Sequence, residues 1–199
     1  MTTLNASNLS LGDVHRIFGF QRHYNSSFIS LLSLEPLTES EQQEILQIRD
    51  DFDNYLAESK VDEGLVKALT TVPLMRLAGF YRSPIKITLE EDIERVNIED
   101  EETVITGRLD ILAINKTKLS TANVYFWVLV IESKNSSVDS SAGLPQLLTY
   151  AYNSLKHQES VWGFTTNGRS YQFVYIQREN PLTYQLMPEL NLMESERAI

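Results

Sequence analysis

Val124-Tyr-Phe-Trp-Val-Leu-Val-Ile131, followed at once by Glu132-Ser-Lys134, is the stretch on which the architecture turns. Such an unbroken β-favouring run reads as a central strand buried on both faces. It ends abruptly in a carboxylate and an ammonium two positions apart. Side chains alternate along a strand, so Glu132 and Lys134 point to the same side, roughly 6.6 Å apart. Charge beside a buried strand is costly unless it is paired. A polyanion with its metal ion would supply that pairing.

Working outward, Val104 to Ile114 reads as a second strand and contains Gly107-Arg-Leu-Asp110, with Asn115 to Asn123 as a polar turn. A hairpin places Asp110 beside Glu132. Two carboxylates about 4 Å apart repel by roughly 4 kcal/mol at an effective dielectric of 20, so either a divalent cation bridges them or one holds its proton. Oxygen ligands without Cys or His favour Mg²⁺ or Mn²⁺ over Zn²⁺. The alternative reading of Asp110, Glu132 and Lys134 is a salt-bridge cluster at a sheet edge. The tripeptide alone is unspecific: Glu58-Ser-Lys60 repeats it at a predicted helix end, where it reads as solvated surface.

Further from the decisive stretch, Thr38-Glu-Ser-Glu41 has capping-box spacing, and Ile45, Ile48, Phe52, Tyr55 and Leu56 follow at helical spacing, predicting a helix over 38–58. A second helix is expected from Asp62, with Leu65, Val66, Leu69 and Val72 buried, Pro73 kinking or splitting it and Gly79 stopping it. Residues 85–89 alternate like a strand, and the acidic segment 90–102 reads as a solvated turn. A polar loop over 135–143 precedes a helix over 144–157 with Pro145 in its first turn. Strands over 160–166 and 170–177 flank Asn167-Gly168, a strong hairpin signature. Residues 1–36 admit no firm assignment. The order α-α-β-β-β-α-β-β is best satisfied by a mixed sheet with helices packed on it, an α/β (α+β) class.

The chain has 199 residues, enough for one domain with a real core. It has no cysteine, which excludes disulfides and thiolate metal sites and suits a reducing, cytoplasmic compartment. No secretory signal is seen, and the apolar run at 124–131 is far shorter than the ~20 residues of a membrane helix. Net charge is −10, and it is uneven. Residues 1–102 hold 19 acidic and 9 basic residues, whereas 103–178 hold 4 and 7, net +3. The acidic half reads as scaffold and the second half as working face, without the basic stripe of a strong non-specific DNA binder.

On the helix over 144–157, Leu144, Leu147, Leu148, Ala151 and Leu155 make one apolar stripe, while Gln146 and Tyr150, four apart, share another face that Asn153 and His157 continue. Such a Gln/Tyr pair suits a backbone phosphate or a metal-bound water; the plainer reading is a polar face in solvent. His15, His23 and His157 are too dispersed for a zinc site or a triad. Trp127 and Trp162 read as core, and Tyr171, Phe173 and Tyr175 as sheet-face packing rather than a base-stacking platform.

Gly107-Arg-Leu-Asp110, Glu132-Ser-Lys134 and Gln146-Leu-Leu-Thr-Tyr150 together resemble the motifs of the PD-(D/E)XK nuclease superfamily, in particular its RecB-like members and the N-terminal nuclease domain of type I restriction motor subunits. Thr165-Thr-Asn-Gly168 is similar to the latter as well. The resemblance covers about 61–178; residues 1–60 become an N-terminal helical extension and 179–199 a C-terminal tail. Leu109 stands where the family name has proline. The resemblance implies a restriction-endonuclease-like sheet core. It also implies Asp110 and Glu132 as metal ligands with the carbonyl of Ser133, Lys134 orienting or activating water, and Glu63 as the acidic residue of the first core helix.

The leading expectation is therefore a Mg²⁺-dependent (or Mn²⁺-dependent) nuclease acting on DNA, related to restriction or repair. Expected partners are DNA and a separate helicase motor or specificity subunit, with homodimers also admitted and no membrane. The alternatives are a catalytically inactive nuclease-fold subunit that binds nucleic acid, and an interaction scaffold whose acidic half, 1–102, docks a basic partner.

Overall fold

The computed structural model describes residues 2–24, 36–92, 96–98, 103–119 and 125–194. The first quarter of the chain holds β1 (Thr2–Asn5), a 3-10 turn (Ala6–Asn8), α1 (Leu11–Phe18), β2 (Gln21–Arg22) and α2 (Glu39–Glu58). Next come α3 (Glu63–Val66), a π turn (Lys67–Thr71), α4 (Val72–Leu77), β3 (Ile85–Asp92), β4 (Val96–Ile98) and β5 (Thr103–Thr106). Then follow β6 (Arg108–Leu119), β7 (Tyr125–Ser133), a 3-10 turn (Ser140–Gly143), α5 (Leu144–Leu155), β8 (Ser160–Thr166), β9 (Ser170–Gln177), β10 (Thr183–Leu186) and β11 (Leu190–Asn191).

The apolar run becomes β7 and lies inside the main sheet, whose order is β2-β10-β9-β8-β7-β6-β3, with β11 also paired to β9. β7 runs antiparallel to β6 and parallel to β8. The parallel step needs a crossover, and α5 supplies it while packing on both strands. A smaller sheet, β1-β5-β4, stands beside the first. The result is a mixed sheet flanked by helices. Among the described residues no helix is long and apolar enough to cross a membrane.

Each face of the main sheet has its own core. On one face, Leu112 packs with Leu144, Leu147, Leu148, Ala151 and Leu155 of α5 and with Val14 and Phe18 of α1. On the other, the paired Ile111 and Ile131 pack with Ile45 and Ile48 of α2 and Met75 of α4. Burying each such aliphatic side chain contributes about 1.5–3 kcal/mol. Trp162 stacks on Tyr175 at 4.7 Å and Phe164 on Phe173 at 5.1 Å, so these aromatics serve packing within the sheet.

The capping box at Thr38 and Glu41 starts α2 as the spacing predicts, although Tyr55 stays exposed. Four expectations change. The helix after Asp62 is interrupted by a π turn, whose wide spacing shifts the buried face from there on, so Thr70, Thr71 and Met75 are buried; ahead of it, in α3, Leu65 is exposed. The single strand expected over 104–114 is two strands, β5 and β6, meeting at Gly107 in different sheets. The acidic segment over 90–102 is not simply a turn: β3 runs to Asp92 and β4 occupies Val96–Ile98. The polar turn expected over Asn115 to Asn123 does not begin at Asn115, because β6 runs on to Leu119. Residues 93–95, 99–102, 120–124 and 195–199 lie outside the described residues. Residues 2–22 contribute β1 to the small sheet, parallel to β5, and β2 to the main sheet, parallel to β10; beyond 178, β10 and β11 both pair with β9.

Candidate functional site

At the end of β7 the backbone carries its charges into a cleft of about 740 Å³, lined by Glu63, Asp110, Glu132, Lys134, Gln146 and Tyr150. Asn5, Ser7, Asp92 and Arg108 also border it. Every side chain singled out from the sequence for catalysis thus reaches one place. Asn153 and His157, expected to continue the polar face of α5, do not line it; Asn153 is buried and His157 lies in the turn after the helix.

Register explains the convergence of the acids. Ile111 pairs with Ile131, so one step further along this antiparallel ladder Asp110 comes level with Glu132. Asp110 is fixed through its carboxylate: Oδ2 accepts from the backbone N–H of Ser133 at 2.7 Å, and Oδ1 accepts from Lys67 Nζ at 3.0 Å. Glu132 is only 1% exposed. Its Oε1 accepts from Lys134 Nζ at 2.6 Å, while its Oε2 is buried without a hydrogen-bond partner among the described residues. Burial above all, and then the charge of Asp110, push the Glu132 carboxyl up to about 8, against the pull of Lys134.

A relay of hydrogen bonds holds Lys134. Its Nζ also donates to Gln146 Oε1 at 3.1 Å, Gln146 Nε2 donates to Tyr150 Oη at 2.6 Å, and that hydroxyl donates to the carbonyl of Arg108 at 2.9 Å. Tyr150 is fully buried, with its ring in the core and only its hydroxyl in the network. Burial, reinforced by the charge of Glu132, raises its hydroxyl well above the ordinary phenol range, so it acts as a neutral donor. Two glycines make room: a Cβ on Gly107 would meet Tyr150 Cε1 at 2.8 Å, and one on Gly143 would meet Glu132 Cγ at 3.0 Å.

Glu63 is the first residue of α3, which Asp62 caps by accepting from Leu65 N–H at 2.9 Å. The approach to α3 is tied to the loop after β7, where Ser136 N–H donates to the Val61 carbonyl at 3.0 Å and Ser136 Oγ accepts from Val61 N–H at 2.9 Å. Burial and the charge of Asp110 raise the Glu63 carboxyl.

Lys67 was not singled out by sequence reasoning. Burial opposes its charge, but Asp110, Glu63 and Glu90 overcome this and raise its ammonium above the ordinary range. The Glu63-x3-Lys67 spacing was a readable helical ion pair, and the structure places the two 3.7 Å apart. Glu90, which faces Lys67 at 3.8 Å, has φ of 52°, a left-handed backbone unusual outside glycine.

The ligand chemistry suits a hard cation. Glu132 Oε2 is a buried carboxylate oxygen in want of a partner, beside a second carboxylate and lysines that can balance a phosphate. Among the described residues, no group of three or more His, Asp or Glu side chains is arranged to hold a metal, so the protein ligands would be Asp110, Glu132 and a backbone carbonyl such as that of Ser133.

No family model matches this chain, and neither does any curated protein. Solved structures do match, among them a fragment assigned to an HsdR subunit of a type I restriction enzyme from Vibrio vulnificus. That match has a TM-score of 0.43 and 17% identity and covers 69% of this chain but 24% of the other, so this chain spans about a quarter of that fragment. A TM-score this low does not establish a shared fold.

Proposed function

We propose that this protein is a Mg²⁺- or Mn²⁺-dependent nuclease that hydrolyses phosphodiester bonds in DNA, on a restriction-endonuclease-like core. The observation that carries this reading is Glu132, sealed beside Asp110 with a lysine on one oxygen and, among the described residues, no hydrogen-bond partner on the other. Asp110, Glu132 and the Ser133 carbonyl would hold the cation, which when bound polarises the phosphodiester and acidifies an attacking water. Lys134 supplies fixed positive charge where the phosphorane gathers negative charge. Gln146 and Tyr150 act through Lys134 and are positioning residues. Glu63 sits at the rim, close enough to hold a water directed at the site. Arg108, exposed at the same rim, is placed to meet a neighbouring phosphate. The chain's net charge of −10 makes tight DNA binding depend on the cation or on a separate motor or specificity subunit. The test is incubation with plasmid and linear DNA in Mg²⁺, Mn²⁺ or chelator; cleavage that persists unchanged in Lys134→Ala overturns the assignment.

One observation favours a second reading, a nuclease-fold subunit that binds nucleic acid without cutting it. Lys67 already occupies Asp110 Oδ1, where a metal ligand would be needed. DNA binding that weakens with salt, without cleavage under any metal, distinguishes this reading from the first.

A further inference from the structure

Lys67 opens the π turn and reaches Asp110 at the cleft from the helical side, with its side chain only 17% exposed. Three carboxylates face its ammonium: Asp110 at 3.0 Å, Glu63 at 3.7 Å and Glu90 at 3.8 Å. Arg108 approaches Glu90 from its other side at 3.6 Å. Asp110 therefore has both oxygens engaged, one by the Ser133 N–H and one by Lys67. The Ser133 donor is backbone, fixed at the end of β7. The ammonium hangs on a flexible stem and has two other acids within reach.

We propose that Lys67 is a built-in counter-ion that occupies the Asp110 side of the site and competes with a divalent cation for that carboxylate. This rests on the nuclease reading and adds to it a residue that sets metal affinity from outside the motif. Two neighbouring buried acids without a cation would repel each other, and Lys67 relieves that repulsion in metal-free protein. With a cation bound at Asp110, Lys67 would keep Glu63 and Glu90 as partners within reach. Metal affinity is then lower than the carboxylates alone would give, because each binding event must first break an ion pair.

The experiment is calorimetric titration of the metal-free protein with Mn²⁺ alone, comparing wild type with Lys67→Met, Lys67→Arg and Asp110→Asn, each checked for folding by circular dichroism. Lys67→Met keeps the stem and removes the charge; it should bind Mn²⁺ about tenfold more tightly and melt at a lower temperature without metal. Lys67→Arg keeps the charge and adds a second donor toward Asp110, so it should bind more weakly than wild type. Unchanged or weaker binding in Lys67→Met overturns the proposal, and so, should that variant not fold, does unchanged or tighter binding in Lys67→Arg. The nuclease reading survives either result if wild type binds Mn²⁺ and Asp110→Asn does not. Binding by Lys67→Met alone supports the counter-ion and argues against an active wild-type site, whereas no binding by any form overturns both.

Discussion

The tripeptide Glu-Ser-Lys occurs twice in this chain, and the two copies have opposite fates. Glu58-Ser-Lys60 ends α2, and all three residues are exposed. Glu132-Ser-Lys134 ends β7; there the glutamate is 1% exposed, the serine is buried, and the lysine bonds both Glu132 and Gln146. On a helix end, water solvates both charges and the pair contributes almost nothing. At the end of a buried strand the same atoms must find protein partners or a cation. Chemistry here comes from what precedes and faces the three letters, not from the letters.

The contrast can be broken in decreasing steps. Lys134→Ala should lower metal-dependent cleavage by about 100- to 1,000-fold, the cost of losing a preorganised cation, whereas Lys60→Ala should leave the rate unchanged in the same assay. Glu132→Gln should abolish cleavage yet raise the melting temperature in metal-free buffer above pH 8, because it removes a buried charge facing Asp110; a lower melting temperature contradicts this.

Wild type should show the matching pH dependence without metal. The Glu132 carboxyl sits at about 8 when folded against an ordinary value of 4.5, so the folded state holds a proton that the unfolded state releases. That contribution is fully present below about pH 4.5 and is lost as pH rises toward 8. Urea titrations at pH 6 and pH 9 should therefore differ in wild type by more than in Glu132→Gln. Gly107→Ala should cost about 1–3 kcal/mol by forcing a methyl against Tyr150, measured by the same titrations. Glu58→Gln should fall within about 0.5 kcal/mol of wild type.

Much of this was legible because it is local. The apolar run of β7, the capping box of α2, the leucine stripe of α5 and the Asn167-Gly168 hairpin are decided by neighbours in sequence. The meeting of Asp110 with Glu132 followed from the hairpin, and Gln146 with Tyr150 from helical spacing. What stayed hidden depends on distant partners. β1, β2, β10 and β11 are two to four residues long and carry too little pattern to read; their pairings alone define them. The π turn has no composition of its own, so the burial of Thr70, Thr71 and Met75 could not be foreseen. Lys67 is one of 17 Lys and Arg residues, and only the fold brings it to Asp110.

The pairing of β1 with β5 has a consequence for the order in which the protein is made. Thr2 lies against Thr103, and Asn5 and Ser7, just beyond that ladder, border the cleft. A growing polypeptide emitted from the ribosome therefore exposes β1 long before β5 exists, and β2 waits longer still for Thr183 and Tyr184. Contacts so far apart in sequence close slowly. A nascent or truncated chain that stops short of Tyr150 thus has no finished pocket.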